Sequence, residues 1–304
     1  MDSFAGKLAV VTGGGSGMGR ELARQLAAQG CSVAACDLDA GAVAQTAAVA
    51  LADAPPGVLV TGHACDVSDE AQVLRFRDEL LTGHASDHVD LVFSNAGIGG
   101  GSSFVSGRRD EWERTFAIVN TSSVAGLWAS LGPGMPSTAY STAKFAVKGF
   151  TEALIEDLRV HAPEVRVAVV LPGHVGTDII ANSRRALGQP DPAEMSDAQL
   201  AELVPADARA RLVRAGMLAE GASAAELREL VAAMSAGFRD KAPLSAAEAA
   251  AVILDGVRSG AWRILVGEDA QLIDRAVRAR PDAAYDYARL FSAADESGEP
   301  AASP

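Results

Sequence analysis

Short apolar runs alternate with amphipathic stretches along most of the chain. Lys7-Leu-Ala-Val-Val11 ends in glycines and reads as a strand buried on both faces. Gly19–Gly30 carries Leu22, Ala23 and Leu26 at helical spacing and stops at a glycine. Cys31–Cys36 reads as a second strand, ending at Asp37. Helix Ala40–Ala52, strand Val58–His63, helix Ser68–Leu81 and strand Val89–Ser94 follow. Later come strand Ile118–Thr121, helix Tyr140–His161, strand Val165–Val170 and strand Trp262–Val266. Steady alternation of strand and helix predicts an α/β fold built on a doubly wound parallel sheet.

Between Thr177 and Leu244 the pattern changes to Ala, Leu, Arg and Glu, with helical periods at Asp197–Leu203, Asp207–Met217 and Ala224–Met234. This is too long for a simple loop. It is either an accessory helical subdomain or a lid over a substrate. Its departure from the C-terminal end of a strand, where α/β ligands bind, favours the lid. The organisation expected is one domain over 1–291, with a helical lid over 178–244, and a small, polar, disordered tail over 292–304.

Composition narrows the function. A formal charge of −13 over 304 residues argues against nucleic acid and anionic membrane surfaces. No apolar run reaches the length of a membrane span, and the first residues lack a signal-peptide layout. Cys31, Cys36 and Cys65 lie in apolar segments and read as buried thiols of a reducing, cytoplasmic compartment. The five histidines show no metal spacing.

Tyr140 and Lys144 stand four apart on one helix and share a face. The lysine's charge would stabilise the phenolate and bring the tyrosine's pKa down from about 10. Such a pair alone is often a surface accident. Here it follows Ser123, and Thr12-Gly-Gly-Gly-Ser-Gly-Met-Gly19 lies upstream between a strand and a helix. Glycines there let the backbone approach a pyrophosphate at the helix N-terminus. Asp37 can accept from ribose hydroxyls and would repel a 2′-phosphate, which favours NAD; its plainer reading is a helix N-cap or an exposed turn acid.

These residues resemble the short-chain dehydrogenase/reductase family, in its Thr-Gly-x-x-x-Gly-x-Gly branch. The matches are Thr12-Gly13, Gly17 and Gly19; Asp66-Val67; Asn95-Ala96-Gly97; Ser122-Ser123; Tyr140 with Lys144; and Pro172-Gly173 with Val175 and Thr177. The resemblance implies a Rossmann-like fold with NAD across the C-terminal strand ends, and an enzyme interconverting a secondary alcohol and a ketone. In that reading Tyr140 is the acid/base, Lys144 holds the nicotinamide ribose and Ser123, rather than Ser122, bonds the reacting oxygen. Gly13, Ser16, Gly17, Met18 and Gly19 would cradle the phosphates, and Asp66 with Val67 would meet adenine. Asn95, Ala96 and Gly97 would shape the cleft, and Pro172, Gly173, Val175 and Thr177 would line the nicotinamide end.

One departure matters. The family carries a long helix with a catalytic asparagine between Asn95-Ala-Gly97 and the serine-bearing strand. Here Trp112–Ala117 reads as its beginning, within a nine-residue helix Arg109–Ala117, and Ile118 then starts the next strand. This amounts to a deletion between Ala117 and Ile118. Asn120 belongs to that strand and is not promoted to the missing role. A catalytically impaired nucleotide-binding protein is therefore the alternative. The usual dimer helix is also missing, which puts the family's usual homo-oligomer in doubt. Leu200, Leu203, Leu212, Met217 and Met234 suggest an apolar small-molecule alcohol or ketone, although a helical stripe is more often core.

Overall fold

The computed structural model describes residues 3–97, 115–129, 137–186 and 188–291. Seven strands form one parallel sheet: β1 (Leu8–Thr12), β2 (Ser32–Asp37), β3 (Val60–Ala64), β4 (Val89–Ser94), β5 (Thr115–Thr121), β6 (Arg166–Pro172) and β9 (Arg263–Val266). Their order is β3-β2-β1-β4-β5-β6-β9. Order reverses between β1 and β4, which opens a crevice at the C-terminal strand ends. A separate two-stranded sheet pairs β7 (Val175–Gly176) with β8 (Leu244–Ser245). The expected α/β, Rossmann-like sheet is the one found.

Both faces are covered because the strands are apolar on both sides. On one face α1 (Gly17–Ala28), α2 (Ala40–Ala52) and α9 (Ala246–Ser259) bury Leu22, Leu26, Ile253 and Leu254 against Ala9, Val11, Val33 and Val170. On the other, α3 (Glu70–Gly83) sets Phe76 and Leu80 against Leu8, Val10, Ala34 and Cys36. There too α4 (Thr138–His161) lays Leu154, Ile155 and Leu158 over Ile118, Val165 and Val167. Each such large side chain contributes about 1.5–3 kcal/mol when fully buried. At the opposite end of the sheet, near the N-termini of β1 and β4, Asp90 is buried and accepts from Lys7 Nζ and the Leu8 N–H, both at 2.9 Å. This ties β1 to β4.

The expectation of helix up to Ala117 is corrected. Thr115–Ala117 are strand, paired with β4 from Val89↔Thr115 to Ser94↔Asn120. The six residues of β4 need a partner of matching length, and the run Thr-Phe-Ala-Ile-Val-Asn-Thr supplies it. The remainder of that reading, 109–114, lies outside the described residues, as do most of the Gly/Pro-rich stretch after Leu127 and the expected tail, 292–304. Among the described residues no helix stands between β4 and β5.

Beyond β7 the chain forms α5 (Ile179–Ala186), α6 (Asp197–Leu203), α7 (Ala206–Arg214) and α8 (Ala224–Asp240). Met195, Leu200, Val204, Leu227 and Val231 make their own core, joined by Leu203 and Leu212. Met217 and Met234 stay about half exposed. The apolar stripe thus packs largely on itself. No helix among the described residues is long and apolar enough to cross a membrane.

Candidate active site

The glycine turn caps β1 at the crevice. Gly13 has φ +65°, and a Cβ on it would lie 2.8 Å from the Cα of Ala96. A Cβ on Gly19 would lie 2.1 Å from the Gly13 carbonyl oxygen. Only glycine lets the turn press against the end of β4 and against itself. Asn95 fastens the two strand ends: its Nδ2 donates to the Thr12 carbonyl at 3.1 Å. Thr12 Oγ1 in turn accepts from the N–H groups of Asn95 and Ala96, at 3.1 and 3.0 Å.

Ser16 is the N-cap of α1, yet its side chain caps no helix N–H and the first turn holds no acidic residue. The first amides of α1 therefore lack a side-chain partner at the positive end of a twelve-residue helix. Gly17 and Met18 begin that helix, with Met18 partly buried against the main core. Thr177 sets its methyl beside Gly17, and Asn182 of α5 donates from Nδ2 to Ser16 Oγ at 2.8 Å. Arg20 is spent on the turn itself, donating to the Gly15 carbonyl at 2.6 Å and to Thr46 Oγ1 at 3.0 Å.

Asp37 ends β2 facing the turn. Its Oδ2 accepts from the Gly15 N–H at 2.8 Å and its Oδ1 from the Asp39 N–H at 3.1 Å. The N-cap of α2 is Asp39, which accepts from the Ala42 N–H, so the plainer reading of Asp37 as that cap is set aside. Asp66 spends Oδ1 on the N–H and hydroxyl of Ser68, at 2.9 and 2.7 Å, with Val67 exposed beside it. An uncapped helix start, a glycine turn without side chains and a carboxylate at the second strand end fit a dinucleotide's diphosphate and ribose.

The residues expected to be catalytic lie one strand over. Ser122 and Ser123 follow β5 and part company. Ser122 is buried and donates to the Lys144 carbonyl at 2.7 Å. Ser123 Oγ accepts from the Ala125 N–H at 3.1 Å and lies near enough to the Tyr140 phenol to lower its pKa. Lys144 Nζ donates to the Thr121 carbonyl at 3.1 Å and stands 5.7 Å from the centre of the Tyr140 ring. Gly97 approaches the same amine, since a Cβ on it would lie 3.6 Å from Nζ. Ser123, Tyr140 and Lys144 are thus brought together against the segment that braces the glycine turn.

Their electrostatics differ from expectation in one respect. Burial pushes the Tyr140 phenol above its ordinary value, and the Ser123 hydroxyl draws it partly back. The lysine is not bonded to the phenol; burial brings its own pKa down to about 8. Asn120 is a packing residue, donating to Thr151 Oγ1 at 3.0 Å under α4.

Pro172 ends β6 and Gly173 donates its N–H to the Val266 carbonyl at 2.9 Å. Asp269, at the start of α10 (Glu268–Ala279), accepts from the His174 N–H at 2.6 Å and fills the space where a Gly173 Cβ would be. Val175 is buried in β7 beside Leu244. Sequence reasoning missed Asn182, Asp269 and Trp128. All three act across long separations, and no local pattern marks them.

The family profile described as short chain dehydrogenase matches residues 7–118 and 117–188, two stretches that meet where the crossover is shortened. The putative oxidoreductase SadH of Mycobacterium tuberculosis is 34% identical over 227 residues, covering 66% of this chain and 79% of that protein. Dehydrogenase/reductase SDR family member 11 of Homo sapiens is 28% identical over 203 residues, covering 58% and 76%. A solved short chain dehydrogenase/reductase from Burkholderia phymatum, in complex with NAD, has a TM-score of 0.65 at 28% identity, over 93% of this chain and 96% of that one. With the glycine turn, the parallel sheet and the serine, tyrosine and lysine in their places, the chain belongs to the short-chain dehydrogenase family and is an oxidoreductase of that kind.

Proposed function

We propose that this chain interconverts a secondary alcohol and a ketone using NAD(H), with Tyr140 as the acid/base. The observation that carries the reading is the meeting of Ser123, Tyr140 and Lys144, with the Ser123 hydroxyl acting on the phenol and the half-buried Lys144 amine 5.7 Å from its ring. The nicotinamide, when bound, supplies or accepts the hydride. Ser123 orients the substrate oxygen. Tyr140 delivers a proton to that oxygen in reduction and removes it in oxidation. Lys144, cationic below about pH 8, offers its ammonium to the nicotinamide ribose and favours charge on the phenol.

The nucleotide half of the proposal rests on Asp37, whose carboxylate suits ribose hydroxyls and opposes a 2′-phosphate. The Burkholderia phymatum relative's complex with NAD points the same way. Asp66 and Val67 are assigned to the adenine end, Asn95, Ala96 and Gly97 to the cleft, and Pro172, Gly173, Val175 and Thr177 to the nicotinamide end. Residues 178–244 are read as the lid of a single domain over 1–291, because α5 rests on the glycine turn through Asn182. Three free, buried cysteines suit a reducing, cytoplasmic setting. The substrate is read as a small apolar molecule.

Tyr140→Phe tests the assignment. Turnover should vanish while NADH binding by calorimetry stays near that of the parent; comparable turnover in the variant rejects it. A second reading, a nucleotide-binding protein with impaired catalysis, is favoured by the family match breaking at 117–118. Parent turnover of about 1 per second or faster on any secondary alcohol removes it.

A further inference from the structure

The turn that carries Ser123 is held from the far end of the chain. It runs as a 3₁₀ segment, Val124–Gly126, closed by the Trp128 N–H donating to the Val124 carbonyl at 2.9 Å. On its near side Ser122 is fixed twice, by its N–H to the Val170 carbonyl at 2.8 Å and by its hydroxyl to Lys144. On its far side the anchor is Trp128, which is only 6% exposed. Indole Nε1 donates to the Ala284 carbonyl at 2.5 Å. Tyr287 and Phe291 meet the indole edge-on, with ring centres 5.3 and 5.8 Å away. The Ala129 N–H donates to Tyr285 Oη at 3.4 Å, and Leu290 with Ile273 and Val277 completes the cluster.

Ser123 therefore lies between two tethers, and only one of them belongs to the sheet. Cutting the other leaves the hydroxyl on a turn pinned at one end. A displacement of about 1 Å at a reacting group can cost up to about a hundredfold in rate.

We propose that Trp128 is a positioning residue, and that the segment 281–291 closing over it aims the Ser123 hydroxyl at Tyr140. This rests on the reading of Ser123 and Tyr140 as the reacting pair. An ordinary core tryptophan would affect stability alone; a positioning one also changes how the Ser123 hydroxyl meets the Tyr140 phenol. The phenol faces Ser123 from this turn and the charged Lys144 from its own helix. Moving the serine away leaves burial unopposed by it, and the phenol then titrates at higher pH.

The test compares full-length Trp128→Ala and Trp128→Phe with the parent. It measures NADH binding by calorimetry, kcat and KM on a secondary alcohol, and the Tyr140 phenol titration by ultraviolet difference against Tyr140→Phe. Trp128→Ala should keep NADH binding within about twofold, lose about tenfold or more in kcat with a smaller change in KM, and titrate higher. Trp128→Phe keeps a ring for Tyr287 and Phe291 but loses the Nε1 bond to Ala284, and should fall between Trp128→Ala and the parent in both. Parent kcat and parent titration in a folded Trp128→Ala overturn the proposal, as does equal loss of NADH binding and turnover. If the alanine variant does not fold, Trp128→Phe carries the test: intermediate values support the proposal and parent values overturn it. The phenol titration needs no substrate, so a parent without turnover rejects the dehydrogenase reading while leaving this one decidable.

Discussion

Ser122 donates its hydroxyl to the carbonyl of Lys144, 2.7 Å away, and so locks the end of β5 to the first turns of α4. The crossing is tight: a Cβ on Gly126 would lie 2.4 Å from Ser122 Oγ and 2.7 Å from the Lys144 oxygen. Ser123, the next residue, acts on the Tyr140 phenol instead. Two adjacent serines thus have separate partners, and only Ser123 is proposed to take part in the chemistry.

That division predicts opposite phenotypes. Ser122→Ala removes one buried hydrogen bond and should cost about 0.5–1.5 kcal/mol in urea unfolding. Ser123→Ala should cost less stability and about 10²–10³ in kcat, comparable to the loss of one transition-state hydrogen-bond donor. Equal stability losses with equal rate losses would contradict the assignment.

Asp37→Ala removes the partner of the Gly15 N–H and, in the proposed role, the ribose acceptor. Calorimetry should show NADH binding weakened about tenfold, the value of one charge-assisted hydrogen bond, with NADPH gaining ground as the repelling charge goes. An unchanged NADH-to-NADPH ratio would remove Asp37 from the ribose.

Lys144 gives a pH signature of defined sign. Its folded pKa of about 8 lies below the ordinary 10.5, so between these values the unfolded chain holds more protons. Its contribution to stability therefore rises with pH through that window, by on the order of 3 kcal/mol. Lys144→Met should be the more stable protein at pH 7, and the gap should close toward pH 10. Tyr140, raised in the fold, acts oppositely above about pH 10, where the unfolded phenol ionises first. Melting temperatures across pH 7–11 for parent, Lys144→Met and Tyr140→Phe check both signs.

A Cβ on Gly173 would stand 2.1 Å from Asp269 Oδ1. Gly173→Ala should destabilise by about 1–3 kcal/mol through overpacking. Asp269→Ala should cost a similar amount, because the His174 N–H loses its acceptor. The double variant should lose less than the sum, since the second change removes the first one's clash. Strict additivity in chemical denaturation would mean that the carboxylate does not fill that space.

The sequence announced its sheet because buried parallel strands leave apolar runs between glycines, as at Val89–Ser94. It announced the site through residues whose partners are near in the chain: the glycine turn, and Tyr140 with Lys144 four apart. It misled where one segment satisfies two patterns. Trp112–Ala117 opens like a helix, and pairing with β4 makes Thr115–Ala117 strand. It was silent where the partner is distant. Nothing near Asn182 tells of Ser16, and nothing near Trp128 tells of Ala284, 156 residues later. The direction of the Tyr140 shift is hidden for a related reason: burial is a property of the assembled fold, whereas the four-residue spacing to Lys144 is visible in the chain.

The clasp on Trp128 has a bearing on synthesis. The bonds of the glycine turn to β4 need nothing beyond Asn95 and Ala96. The serine turn is not closed until Phe291 has left the ribosome and folded back. A growing chain therefore frames its glycine turn long before it closes its serine turn.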